Sequence, residues 1–177
     1  MAHLTKPVGP DDHIIGAQNA EITLVEYGSY DCPHCRQALA ITLALLKEHH
    51  RNGPTLRLVY RHFPSANGHS TAQRAAEAAE AAGAQGHFWE MHEHLLTHQQ
   101  ALDDANLLAY AALLELDVRQ IAAALERHTY HEKVVQNVRN GVESGVRSTP
   151  TFFINGVRHD EDWDLDSLRT AILAASR

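Results

Sequence analysis

Two strand-bearing segments flank residues 65–147, which have almost no strand character, and this separation decides what the chain can fold into. Residues 22–27, Ile-Thr-Leu-Val-Glu-Tyr, read as a buried strand of β-branched and apolar side chains apart from Glu26. A turn over 28–31 follows. A helix then runs from Pro33, whose missing N–H costs nothing at the first helical position, to about residue 49. Its apolar positions are Ala38, Leu39, Leu43 and Leu46. Asn52-Gly53-Pro54 stops it. Residues 55–61 alternate Leu56, Leu58 and Tyr60 against Thr55, Arg57 and Arg61, a strand signal. Strand, helix and strand make a βαβ unit, right-handed with parallel strands.

Residues 65–147 are rich in Ala, Leu, Glu and His and predict helices at about 70–84, 87–98, 104–115, 118–128 and 130–145. Asp103 or Asp104 and Asp117 suit their N-caps. The alanine run 75–82 reads as an ordinary helix, with Glu77 and Glu80 in its period. Strand chemistry returns at 151–154. Asn155-Gly156, a strong hairpin signal, leads into a second short strand from Val157. Asp164 then caps a final helix to about Ala175. These strands can share one mixed sheet only if the helical block is an excursion from it, so the fold class is α/β.

Composition narrows the function. The chain has 177 residues, 44% of them apolar, and a formal net charge of −7. Such a chain supports a packed core and is a poor binder of nucleic acid. No apolar run approaches the ~20 residues that span a bilayer, so no membrane insertion is expected. The N-terminus carries no apolar core after its charges, which reads as cytoplasmic. An exported chain whose signal had been removed would read the same way.

Two cysteines are present, at positions 32 and 35. The loop they would close is too small to constrain an unfolded chain much, so chemistry is a better reason for them than stability. Cys32-Pro33-His34-Cys35 follows a strand and opens a helix. A thiolate at Cys32 would meet the unpaired N–H groups and positive dipole end of that helix. That environment favours the thiolate as attacking and as leaving group. His34 adds an imidazole beside it. Cys35, a turn later, should face inward, placed to attack a mixed disulfide formed at Cys32.

Glu26 shares a strand face with Ile22 and Leu24. A carboxylate there is costly unless protonated or solvated. It reads either as a buried proton acceptor for Cys35 or as a strand-end side chain turned to water. Thr149-Pro150 precedes the strand at 151–154. It reads either as punctuation or as a cis-proline loop beside Cys32 whose Thr149 backbone can pair with an extended peptide.

Together these segments resemble the DsbA-like proteins. Val-Glu-Tyr-Gly-Ser-Tyr-Asp-Cys-Pro-His-Cys is similar to their active-site segment. Ser-Thr-Pro-Thr-Phe-Phe-Ile-Asn-Gly is similar to their cis-proline loop and hairpin, and Gly-His-Phe-Trp-Glu-Met-His to part of their helical insertion. The resemblance runs from about His13 to the last helix. It implies a thioredoxin-like domain of residues 1–64 and 148–177 with a helical domain inserted at 65–147. It implies a monomeric thiol–disulfide oxidoreductase needing no cofactor, with protein thiols or disulfides, or glutathione, as partners, and a further redox protein to regenerate it. Cys32 would be the attacking cysteine and Cys35 the resolving one. Pro33 and His34 would tune the pair, Glu26 would be the buried acid, and Pro150 the cis-proline preceded by Thr149. Pro-His between the cysteines is the pair of strongly oxidising members and suggests a disulfide donor. Thr149 leaves the direction open.

Other readings compete. Cys-x-x-Cys is half of many zinc sites, and fourteen histidines are present, but no second Cys-x-x-Cys or spaced histidine pair completes a set. His87, His92, His94 and His98 crowd one helix; His94 and His98 could share a metal but have no acidic or cysteine partner at ligand spacing. No metal site is therefore expected. Phe88, Trp89, Met91 and Leu95 read as core of the helical block. Asp160-Glu161-Asp162 reads as solvated surface rather than a calcium loop. A glutathione-dependent transferase of the same architecture would not need Cys35, a non-catalytic binding module would need neither cysteine, and a cytosolic reductase or isomerase would use the same residues.

Overall fold

The structure, a computed structural model, describes residues 2–51, 53–64 and 70–176. Asn52 of the expected helix stop and residue 65, the expected start of the helical block, lie outside them. The elements run β1 (His13–Gly16), β2 (Ile22–Gly28), α1 (Pro33–Arg51), β3 (Leu56–His62), α2 (Thr71–Gly83), α3 (Phe88–Thr97), α4 (Asp104–Leu113), α5 (Val118–Glu126), α6 (His131–Glu143), β4 (Thr151–Ile154), β5 (Val157–Arg158) and α7 (Leu165–Ala175). The strands form one sheet in the order β1-β3-β2-β4-β5. β2 and β3 are parallel, while β1, β4 and β5 each pair antiparallel with their neighbours. Five helices leave the sheet after β3 and return the chain to it at β4. This is a thioredoxin-like mixed sheet with a helical insertion.

Both faces of the sheet are covered. Ile22, Leu24, Leu56, Leu58 and Ile154 pack with α1 and α7 through Ala38, Leu45, Leu168 and Ile172. On the opposite face Val25, Tyr27, Val59 and Phe153 pack with Val146. Two-sided burial replaces the alternation expected of β3: Tyr60 and Arg61 are both about 1% exposed. Arg61 was expected on the polar side. Instead it donates to both Asp12 carboxylate oxygens, the Lys6 and Pro7 carbonyls and the Tyr27 hydroxyl. It uses the full fork of guanidinium donors, which is what makes burial of that charge tolerable.

Local signals held where the chemistry is local. Asp103, Asp117 and Asp164 each cap a helix by accepting backbone N–H groups. Asn155 and Gly156 have φ of 48° and 83°, the paired positive values of a tight two-residue hairpin. β1 was not anticipated. It is a four-residue, half-exposed edge strand, too short for a periodic signal. Gly16 closes it at φ 110°, where a Cβ would stand 2.5 Å from the Leu56 carbonyl oxygen.

The alanine-rich run forms the expected helix, α2. Every residue of α2 from Ala72 to Ala82 except Arg74 is buried, Glu77 and Glu80 included. Alanine dominates because α3, α4, α5 and α6 all pack against α2, leaving little room for larger side chains. Glu80 lies 2.9 Å from both His13 Nε2 and His62 Nε2 and 2.6 Å from Lys133 Nζ. Burial alone would raise its carboxyl, but these partners hold it well below the usual carboxylate range. α1 shows a small shift of face. Its buried side is Cys35, Ala38, Leu39, Thr42, Leu45 and His49, while Leu43 is exposed. Thr42 satisfies its hydroxyl on the Ala38 carbonyl.

Candidate redox site

The site forms where β2 ends, α1 begins and the loop before β4 arrives. Cys32 N–H donates to the Ser29 carbonyl at 3.3 Å and turns the chain into α1. Pro33 is the first helical residue. The Cys32 carbonyl then accepts from Cys35 N–H at 3.1 Å and Arg36 N–H at 3.3 Å. Cys32 therefore stands at the N-terminus of the helix. It is half-buried and its partner Cys35 is buried, both as free thiols. The Cys32 thiol donates to the Thr149 carbonyl at 3.2 Å. The Thr149–Pro150 peptide bond is cis. Thr149 is half-buried and Pro150 buried.

Cys35 packs in the core of the helical insertion, beside Tyr30, Leu39 and Tyr60. Ser29 N–H donates to its sulfur at 3.4 Å. Burial, and then the nearby Glu26 carboxylate, push the Cys35 thiol far above its ordinary range. Glu26 is 2% exposed, between Tyr60 on β3 and Phe152 on β4. Burial pushes its carboxyl up to about 8, and its Oε1 has no hydrogen-bond partner among the described residues. Of its two sequence readings, the buried one matches this geometry. His34 and Pro33 are exposed, and the His34 ring lies 6.0 Å from that of Trp163. A cleft of about 260 Å³, lined by Arg147, Ser148, Pro150, Arg158 and Trp163 among others, adjoins this rim.

Several neighbours of the pair were not foreseen. Gln99, beyond α3, donates its amide to the Cys32 carbonyl at 2.8 Å. This tie crosses from the insertion to the helix N-terminus, and 67 positions separate its ends, so no local pattern announces it. Tyr60 buries a hydroxyl with no partner among the described residues. Tyr30 places its hydroxyl 3.1 Å from His92 Nδ1. Phe88, Met91 and Leu95 are core, but Trp89 is only partly buried and bridges two apolar clusters. His94 and His98 stack at 4.2 Å, and His98 Nδ1 lies 2.8 Å from the His94 carbonyl. Neither they nor the cysteines belong to a group of three metal-compatible donors among the described residues.

The sequence model of the family described as thioredoxin matches residues 9–174. A thioredoxin-like oxidoreductase from Silicibacter pomeroyi DSS-3 superimposes with a TM-score of 0.80 at 27% identity, over 94% of this chain and 93% of that one. BdbD from Bacillus subtilis superimposes with a TM-score of 0.85 at 20% identity, over 99% and 98% of the two chains. The chain is also 43% identical over 173 residues to a protein named Na(+)/H(+) antiporter NhaA 1 from Salinispora arenicola. That match covers 97% of this chain and 26% of the antiporter. The chain thus spans about a quarter of the length of the curated relatives it matches. No helix among the described residues is long and apolar enough to cross a membrane. With its sheet, its helical insertion and its paired cysteines at the start of α1, the chain belongs to the thioredoxin family, in the DsbA-like form of that fold.

Proposed function

We propose that this chain is a thiol–disulfide oxidoreductase that exchanges disulfides with protein or small thiols through Cys32 and Cys35. One observation carries the reading: a half-buried sulfur at a helix N-terminus lies against the Thr149 carbonyl, with a second sulfur one turn behind it, fully buried. In the oxidising direction a substrate thiolate attacks Cys32 Sγ of the Cys32–Cys35 disulfide. The S–S bond breaks, Cys35 leaves as a thiolate and takes up a proton. A second substrate thiol then attacks the mixed disulfide, and Cys32 leaves as a thiolate stabilised by the helix N-terminus. The substrate loses two electrons and the pair gains them. The reverse cycle begins with the Cys32 thiolate and ends when Cys35 attacks.

Glu26 fits a proton store for Cys35. Neutral at pH 7, it can hand a proton to Cys35 as the disulfide opens and take one back as it closes. The cleft beside Pro150 fits an extended substrate segment, with Trp163 and His34 at its rim. Pro33 and His34 support a disulfide donor. In a reducing cytosol such a pair would rest as the dithiol and serve as a reductase; in an oxidising compartment it would rest as the disulfide. Oxidoreductase chemistry agrees with the description of the Silicibacter pomeroyi protein. The antiporter activity named for the longer relatives is not proposed for this chain.

The test is trapping. With a disulfide-bearing peptide, Cys35→Ser should accumulate a mixed disulfide on Cys32, and Cys32→Ser should form none. A mixed disulfide on Cys35, or turnover by Cys32→Ser, would overturn the assignment.

A further inference from the structure

Away from the redox site, a buried carboxylate faces two imidazoles from a different part of the insertion. Glu77 is 1% exposed, on the alanine-rich helix α2. His128 lies in the turn after α5, and His131 is the first residue of α6. Glu77 Oε2 stands 3.3 Å from His128 Nδ1, and Glu77 Oε1 stands 3.5 Å from His131 Nδ1. One ligand atom from each residue lies within 4.8 Å of the other two. Gln73, one turn earlier on α2, donates to Glu77 Oε1 at 3.2 Å and lies 3.4 Å from His131 Nδ1.

Glu80, three residues along the same helix, supplies the contrast. Its imidazole contacts are both 2.9 Å, and Lys133 closes the cluster at 2.6 Å. The imidazole contacts are ordinary charge-assisted lengths, and the Lys133 contact is shorter still. The Glu77 contacts are longer than a good N–H···O bond of about 2.7–3.2 Å. Arg74, the nearby cation, directs its guanidinium to Asp104 and the Leu125 carbonyl. A buried carboxylate held this loosely is costly.

The same spacing suits an ion between the groups. Zinc binds imidazole nitrogen and carboxylate oxygen at about 2.0–2.2 Å in a tetrahedron, which puts neighbouring donors about 3.4 Å apart. Each imidazole stands near that distance from one of the two Glu77 oxygens, at 3.3 and 3.5 Å, and one donor atom from each residue falls within 4.8 Å of the others, so a small movement closes the set around an ion. Two imidazoles and one carboxylate select a borderline cation such as zinc over calcium or magnesium, which prefer shells of oxygen. His128 and His131 have side chains 46% and 37% exposed, so an ion can enter and water can complete the shell.

We propose that Glu77, His128 and His131 form a binding site for a zinc-class divalent cation, one that staples the α5–α6 turn to α2. The role is structural and independent of the thiol chemistry.

The test uses the full chain carrying Cys32→Ser and Cys35→Ser, so that no thiol competes, after treatment with a chelator. Zinc is titrated by calorimetry, and cobalt by visible absorption. The expected results are one equivalent bound, the intense bands of tetrahedral cobalt, and a higher melting temperature with zinc. His131→Ala and His128→Ala, at half-exposed positions that spare the core, should each weaken binding about tenfold or more. His94→Ala should leave it unchanged. No binding by the parent protein, or binding that His131→Ala does not alter, would overturn the site.

Discussion

Glu26 occupies a position where a carboxylate has almost nothing to gain from its surroundings. It is walled in by the sheet, it carries an oxygen without a hydrogen-bond partner among the described residues, and burial pushes it up to about 8. Stability alone would favour an apolar side chain there. The proposed use of that residue is the proton it can pass while Cys35, held far above its ordinary range by burial, changes between thiol and thiolate. Replacing Glu26 by Gln should slow the step in which Cys35 resolves a mixed disulfide by about tenfold or more, while sparing the first attack by Cys32. Stopped-flow measurement of the two steps separates them, and equal slowing of both would remove Glu26 from this role. The residue was legible in the sequence because an acid in a run of apolar strand residues stands out. Gln99 and Tyr60 were not, since each matters through a contact made only once the chain has folded.

At the scale of elements, what could be read depended on how local the cause was. The three aspartate caps, the Asn155-Gly156 turn and Pro33 at the start of α1 act within a few residues, and sequence shows them directly. Arg61 shows the opposite. Alternation along β3 placed it outward, but the second face of the sheet is also covered, and the N-terminal segment folds over it to supply acceptors. Burial would raise Asp12, yet the Arg61 hydrogen bonds hold its carboxyl below the usual range. Arg61→Met should therefore destabilise the protein by about 3–5 kcal/mol, because it strips the largely buried Asp12 carboxylate of its guanidinium partner. Adding Asp12→Asn should recover part of that loss; urea unfolding of both variants measures it. At the hairpin, Gly156→Ala meets no atom within 4 Å, so only the positive φ opposes it. The expected cost is about 1 kcal/mol, and a neutral effect would mean that the turn can relax.

For the whole molecule, buried titratable groups set how stability follows pH. Burial, helped by the neighbouring His62 and His13, pushes His92 down to about 3. The unfolded chain binds that proton near 6.5 while the folded one does not, so stability falls as pH drops below that value. Glu26 acts in the opposite sense. Folded, it keeps its proton up to about 8, and unfolded it loses it near 4.5. Its contribution is complete below 4.5 and is lost as pH rises through 8, at up to about 1.4 kcal/mol per pH unit. The two nearly cancel between 4.5 and 6.5, above which Glu26 dominates. His92 titrates in both proteins, so relative to the parent Glu26→Gln should gain stability steadily as pH rises from 4.5 to 8, with no further change in acid. Melting curves across that range check the sign. The overall architecture was legible because strands framed a strandless block. The density of buried acids and histidines inside that block was not, since the period of an alanine-rich helix does not show how closely its neighbours surround it.

The most direct test of the central claim is the equilibrium of the Cys32–Cys35 pair in glutathione buffers, read by alkylation and mass. A redox-active pair should give a single two-electron transition between dithiol and intramolecular disulfide, at a potential well above that of a structural disulfide. Mixed glutathione adducts should sit on Cys32. Cysteines that never form a disulfide, or that titrate independently with adducts on Cys35, would contradict the claim.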